Sequence, residues 1–303
     1  MKTKITILSA LIVLFALFTG CEEDSGQTGT VALSITDAPL DNDNIEGVYI
    51  KINGLEYHSQ DSGWKTFEGY EGPKTFNLLE LTDGMDEMLG TFEMEAGQYN
   101  QLRFMMDIPK MGGGTPSNPG CYLMINGEKT PLFVPSGGQS GYKAVGAFRV
   151  PSNGTVELTA DWDARKAVVE AGATGMYILR PTIRLIAKGE AGSIAGGITN
   201  VPEDASDIAV YAYEDDVDEA YIEGEAAQPA EEENRFPNAV TSDMMDEEGS
   251  YHLHWLAPIT YDLVVVKHVN GEFDQVLGIV EDVTVESKST ENTPIDISNF
   301  STQ

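Results

Sequence analysis

Apolar and polar residues alternate with period two along most of this chain. Val31, Leu33 and Ile35 alternate with Ala32, Ser34 and Thr36. Val48, Ile50 and Ile52 alternate with Tyr49, Lys51 and Asn53. Leu102, Phe104 and Met106 do so with Arg103, Met105 and Asp107, and Val156, Leu158 and Ala160 with Glu157, Thr159 and Asp161. One apolar face at period two is the mark of a half-buried antiparallel strand. Asn126-Gly127, Asn153-Gly154 and Asn270-Gly271 supply residues that accept positive φ, as tight hairpin turns require. Helical periodicity is confined to Asp83–Gly90 and Ala164–Ala171, about two turns each.

A second run of strand-like segments begins near Gly192. It comprises Ser193–Thr199, Ile208–Tyr213, Tyr251–Leu256, Tyr261–His268 and Phe273–Val280, and it ends with Val283–Val285 and Ile295–Ile297. Tyr251–Leu256 and Tyr261–His268 read as a hairpin. The acidic stretch Glu214–Asn234 lacks periodicity and reads as an extended loop. Many short strands with frequent turn signals indicate an all-β fold of two consecutive antiparallel β-sandwiches. The expected organisation is a leader at 1–20, a tether at 21–29, a first sandwich at 30–188 and a second at 190–303.

The first twenty residues break the pattern. Lys2 and Lys4 precede an apolar run from Ile5 to Phe18, too short for a comfortable membrane span of about 20 residues. Leu17-Phe18-Thr19-Gly20-Cys21 resembles the lipobox of bacterial lipoproteins, with Phe18 where leucine is more common. The resemblance implies that the leader is cut before Cys21 and that Cys21 carries the lipid. Two or three acyl chains hold a protein on a bilayer where one is marginal. Glu22-Glu23-Asp24 resembles the acidic export signal of Bacteroidetes surface lipoproteins. The address expected is therefore the outer membrane, at its outer face or its periplasmic one.

Composition narrows the partners. The chain has 303 residues, 49 acidic against 18 basic, a net charge of −31. Removing residues 1–20 removes Lys2 and Lys4, leaving 49 acidic against 16 basic and a net charge of −33. Such a field repels phosphates, so no nucleic acid is expected as a partner. Salt adaptation, divalent-cation binding and solubility are the three readings of the acidity. With Cys21 lipidated, Cys121 is the sole remaining thiol, so no intramolecular disulfide forms; its apolar run, Cys121–Ile125, makes it a small core residue.

The first sandwich also resembles an uncharacterised family of exported proteins, domain of unknown function 4382. The landmarks are Thr36-Asp37-Ala38-Pro39, Val48-Tyr49-Ile50, Leu78–Thr82, Leu89-Gly90, Gly97–Arg103, Pro135–Gly141, Asp161-Trp162-Asp163-Ala164 and Leu179–Arg184. The resemblance carries no known chemistry. The second sandwich resembles carboxypeptidase-regulatory-like, prealbumin-type domains of carbohydrate-binding-like fold. Its landmarks are Gly192–Ile198, Ile208–Ala212, Asp243, Gly249-Ser250-Tyr251 and Leu256–Val265, although Ile259 or Thr260 stands where that family has glycine.

No pattern names a reaction, and the chain is expected not to be an enzyme. Ser140-Gly141-Tyr142-Lys143 fits Ser-x-x-Lys, but the partner motifs of penicillin-recognising enzymes are absent from the sequence. His252 and His254 share a strand face, with His268 beside them in a hairpin, and are expected to face water. No cofactor is expected, with calcium the one candidate. Asp41-Asn42-Asp43-Asn44 starts like an EF-hand loop but lacks the glycine and the final acid. An irregular calcium site from Asp37, Asp41 and Asp43, or from Asp215, Asp216 and Asp218, stays open. Trp64 and Tyr70 are candidate stacking surfaces. The function expected is binding or adhesion at the envelope, to an envelope protein or glycan; the alternative is a carbohydrate-binding accessory lipoprotein in glycan uptake.

Overall fold

The alternating segments become strands in a computed structural model. It describes residues 27–300 apart from 41–43, 60–62, 109–119, 136–139, 173–174, 181, 215–216 and 228–233. The leader, Cys21, Asp41, Asp43, Asp215 and Asp216 lie outside the described residues. The fold is all-β. Antiparallel pairs predominate, but parallel ones occur in both halves. Thr28–Thr36 runs parallel to Thr155–Asp161, and Ile183–Ala187 parallel to Tyr142–Val150. Gly192–Thr199 runs parallel to Thr290–Asn292 and Ile295–Asp296. Period two reports a half-buried strand face and carries no information on the direction of the neighbour.

Among the described residues of the first half, thirteen strands form one continuous sheet. Their inward residues, from Val31 to Leu185, join a single hydrophobic cluster. A sheet whose strands all bury one cluster must wrap around it, which makes the two layers of a sandwich. The longest strand in it, Ile45–Ser59, is bent by irregularities at Ile45/Gly47 and Ile52/Gly54 and pairs with four neighbours in turn. Trp162 anchors the core, fully buried between Tyr142 (4.8 Å, stacked) and Phe104 (5.2 Å, edge-on).

The second half is a two-sheet sandwich. Gly192–Thr199 pairs with Ser250–Leu256, Thr290–Asn292 and Ile295–Asp296. The other sheet orders Thr241–Met244, Asp207–Tyr213, Thr260–Val269 and Glu272–Thr284. Asp207–Tyr213 and Thr260–Val269 are buried on both faces. One face packs the inter-sheet core around Ile194, Val210, Leu253 and Leu263. The other packs Ala209, Tyr211 and Val264 under Ile222, Phe236 and Ala239.

Several expectations are corrected. Tyr251–Leu256 and Tyr261–His268 form no hairpin, because the chain at Ala257–Ile259 crosses from one sheet to the other. His268 is buried against Asp207 and Phe273, far in topology from His252. Asn126-Gly127 and Asn270-Gly271 do turn hairpins, with positive φ at all four residues. Asn153 also has positive φ, but Tyr142–Val150 and Thr155–Asp161 are separated in the sheet by Ile183–Ala187. Asp83–Gly90 is not helical. Asp83 and Gly84, at φ 55° and 72°, turn the chain, and Glu87–Glu95 pairs with Thr28–Thr36. Ala164–Ala167 is one helical turn, after which Val168–Ala171 is a strand. The acidic stretch contains a helix, Glu219–Ala226, whose N-cap Asp218 accepts from the Tyr221 N–H at 2.7 Å.

Candidate functional site: an acidic cavity between the two halves

Three of the stretches that carry the family resemblance arrive at one corner. Thr28–Thr36 and Thr155–Asp161 are parallel neighbours with Thr36 opposite Asp161, so both strands end at the same edge. Asp37 leaves the first, and Trp162, Asp163 and the Ala164–Ala167 turn leave the second. Thr182 Oγ1 donates to the Trp162 carbonyl at 2.7 Å. Arg184 then reaches back, its Nε donating to Asp161 Oδ2 at 3.0 Å.

Against this corner the second half brings Thr241–Asp243 and the outer face of Ser250–Leu256. The cavity between them, about 10 Å³, is lined by Asp37, Asp83 and Asp161 from the first half and by Asp243, His252 and His254 from the second. That volume accommodates about one water-sized sphere. Ala38, Pro39, Gly84, Thr241, Ser242 and Trp255 complete the wall.

Each acid is held differently. Asp37 is 5% exposed; its Oδ1 accepts the Ala164 N–H at 2.7 Å, while its Oδ2 is buried with no hydrogen-bond partner. Burial pushes its carboxyl well above the usual range, against the pull of the Ala164 N–H and with the repulsion of Asp161 and Asp163 added. Asp161 is 2% exposed; Oδ2 pairs with Arg184 and Oδ1 has no partner. Asp243 Oδ2 accepts the His252 N–H at 2.7 Å. Burial, with Asp83 and Asp246 nearby, raises its carboxyl to about 6 despite that N–H.

The histidines complete the opposite wall. Their rings lie 3.6 Å apart between centroids. Burial, then the His252 neighbour, lowers His254 to about 4; burial lowers His252 as well, with Asp83 opposing. They face this cavity and not open water, a correction to the sequence expectation. Strict alternation along Ser250–Leu256 would put Trp255 on the opposite face. An irregularity between Gly192 and Ile194, with Trp255 at φ 56°, turns its indole to the histidine side, where Lys188 Nζ lies 5.4 Å from its ring. Gly84 sits so close that a Cβ there would stand 2.6 Å from the His254 ring.

A second contact locks the halves together. Arg165, fully buried, donates from Nη1 to the carbonyls of Phe236 (3.1 Å) and Arg235 (3.3 Å) and lies over the Tyr211 ring at 5.1 Å. Lys166 Nζ donates to the Ala239 carbonyl at 2.8 Å, and Asn234 Nδ2 to the Val168 carbonyl at 3.0 Å. Asp163, itself buried, balances both cations, at 2.8 Å from Lys166 and 3.6 Å from Arg165.

The other sequence candidates stand apart from this site. Of the proposed calcium set, only Asp37 can be placed. Asp218 is taken up as a helix cap. Among the described residues no three His, Cys, Asp or Glu side chains form a group able to hold a metal ion by themselves. Cys121 is buried, and burial raises its thiol to about 12, as befits a core residue. Trp64 is half-buried under the Arg103 guanidinium (4.2 Å), and the Tyr70 hydroxyl donates to the Ile52 carbonyl at 3.2 Å, so neither ring is a bare platform. The sequence reading missed Asp161, Asp243 and Asp83 as partners of Asp37. Asp161-Trp162-Asp163 and Asp243 were visible as landmarks, but nothing in their spacing joins them.

The fold defines a class: a two-part β-sandwich protein with a charged joint. The family described as Domain of unknown function (DUF4382) matches residues 28–181, about half of the chain, and the chain belongs to it. No curated protein matches the chain. Among solved structures, the Bacillus anthracis TIE protein is similar at 12% identity over 88% of this chain, with TM-score 0.21; the chain spans about a third of its length (34%). A minor pilin of Streptococcus agalactiae is similar at 13% identity, covering 88% of this chain and 94% of its own, with TM-score 0.21. A shaft pilin of Lactobacillus rhamnosus GG is similar at 11% identity, covering 89% and 97%, with TM-score 0.23. At such scores these likenesses add nothing to the fold seen directly in the strands.

Proposed function

We propose that this is a non-enzymatic envelope protein, anchored by lipid at Cys21 and displaying its two β-sandwiches for binding or adhesion at the outer membrane surface. The observation that carries the reading is Leu17–Cys21 behind a basic start and a short apolar run. The body supports it: a rigid all-β scaffold, with its halves cross-braced through Arg165 and Lys166, presents loops at fixed positions. The resemblance of residues 190–303 to prealbumin-type domains keeps a glycan among the candidate ligands.

Mass spectrometry of the protein extracted from membranes tests the anchor. A diacylated Cys21 as first residue is expected, and C21S should leave the protein uncleaved and without lipid. A bare Cys21 on an intact leader overturns the reading. A glycan array probed with the full chain separates glycan from protein ligands: saturable binding to one polysaccharide class selects the accessory reading, and silence retires it.

A further inference from the structure

One stretch of this acidic chain is nearly free of acids. Residues 96–156 hold five basic and two acidic residues, in a chain of 49 acidic and 18 basic. Within it, the antiparallel neighbours Gly97–Met106 and Tyr142–Val150 contain three bases and no acid. Their alternation sends Leu102, Phe104, Tyr142, Ala144 and Phe148 into the core. The outer face therefore carries Gln98, Gln101 and Arg103 from one strand and Lys143, Val145 and Arg149 from the other. Gln98 stands opposite Arg149, Gln101 opposite Val145 and Arg103 opposite Lys143. Lys143 and Arg149 are exposed and Val145 is 60% exposed, so the second half leaves this face uncovered. Arg103 is fixed in place. Its Nε donates to Glu56 Oε2 at 2.6 Å, its Nη1 donates to the Ser140 carbonyl at 3.3 Å, and its guanidinium lies over the Trp64 ring.

We infer that this face binds an anionic polysaccharide laid along Tyr142–Val150. Lys143 and Arg149, roughly 20 Å apart along an extended strand, meet its carboxylate or sulfate groups. The Gln98 and Gln101 amides beside them both donate and accept, as sugar hydroxyls require. A span of that length on an open sheet face suits an extended polymer and not a small ligand. The net charge of the chain does not forbid this, because exposed charges more than about 8 Å away are largely screened at physiological salt. An acidic surface of a second copy has the right charge too. Protein interfaces centre on apolar and aromatic side chains, however, and Val145 is the large apolar side chain exposed here. The inference rests on the binding reading above and gives it a ligand class and a face, on the first half and not on residues 190–303.

The test measures binding of the full chain to immobilised polygalacturonate, dextran sulfate and neutral dextran by biolayer interferometry. Expected is saturable binding to an anionic polymer and none to dextran, weakening roughly twentyfold across a tenfold rise in sodium chloride. Preference for polygalacturonate assigns carboxylate as the group recognised, and preference for dextran sulfate assigns sulfate. K143A/R149A, at exposed positions, should keep the wild-type Tm and lower the affinity roughly tenfold or more. Q98A, which changes no charge, should weaken binding severalfold, and K288A, an exposed lysine of the second half, should leave it unchanged. Silence toward both anionic polymers overturns the inference, as does a loss in K288A equal to that in K143A/R149A. Glycan binding that K143A/R149A retains overturns it too, while leaving the binding reading standing. Self-association in sedimentation that K143A/R149A abolishes, with no polymer bound, gives the face to a second copy instead.

Discussion

The two halves solve the same burial problem differently. The first wraps thirteen strands around one core, and its sheet exposes an outer face. The second, among its described residues, uses eight strands in two sheets and buries both faces of its central strands, so it needs a lid over Tyr211 and Val264. Residues 234–240 are part of that lid, and Arg165 of the first half pins them by their carbonyls. The lesson is directional: the second half leans on the first through a buried cation, while the first closes its core by itself.

The largest way to break this asymmetry is R165A. It leaves Asp163 buried beside Lys166 alone and frees two carbonyls, so a loss of about 3–5 kcal/mol is expected in chemical denaturation. The second half should then melt before the first, seen as two transitions in calorimetry; a single unchanged transition would refute the dependence. G84A comes next. A Cβ 2.6 Å from His254 at φ 72° forces the halves apart or strains the turn, for a loss of about 1–3 kcal/mol and no change in circular dichroism.

The pH dependence of the joint sharpens the comparison, because Asp243 and His254, both on the second half's wall, shift in opposite directions. Asp243 is raised from 3.8 to about 6, so its contribution is present below about 4 and lost as pH rises through 6. His254 is lowered from 6.5 to about 4, so its contribution is present above 6.5 and lost as pH falls through 4. The two oppose one another between pH 4 and 6.5. D243N should therefore be more stable than wild type at pH 7, by on the order of 2 kcal/mol, with the gain gone by pH 4. H254N should reverse the slope, gaining against wild type as the medium acidifies. Parallel curves for wild type and both variants would remove the opposition. The smallest effect belongs to K65A, at the exposed Lys65–Glu95 pair on the first half, where a change below about 0.5 kcal/mol is expected.

Much of the fold was legible. Period-two alternation marks Val31–Ile35, Val48–Ile52 and Leu102–Met106 as strands because each must bury one face. What alternation does not encode is the neighbour. Thr36 meets Asp161 across more than a hundred residues, and only the sheet order brings them together. The Glu219–Ala226 helix was missed because a single residue, Ile222, is buried, leaving no apolar stripe to read. Asp37 was picked out for its charge together with Asp41 and Asp43, which lie outside the described residues. Its companions come from strand ends and from the other half, and the irregularity that turns Trp255 toward them leaves no trace in composition.

That turned indole makes the joint optically visible. Trp162 is sealed in the first core and Trp64 lies beneath a guanidinium, so neither senses the gap between the halves. Trp255 borders it, with Lys188 over its ring. Any partner or force that pries the halves open would wet this one fluorophore, and a red shift in its emission would follow the opening in real time.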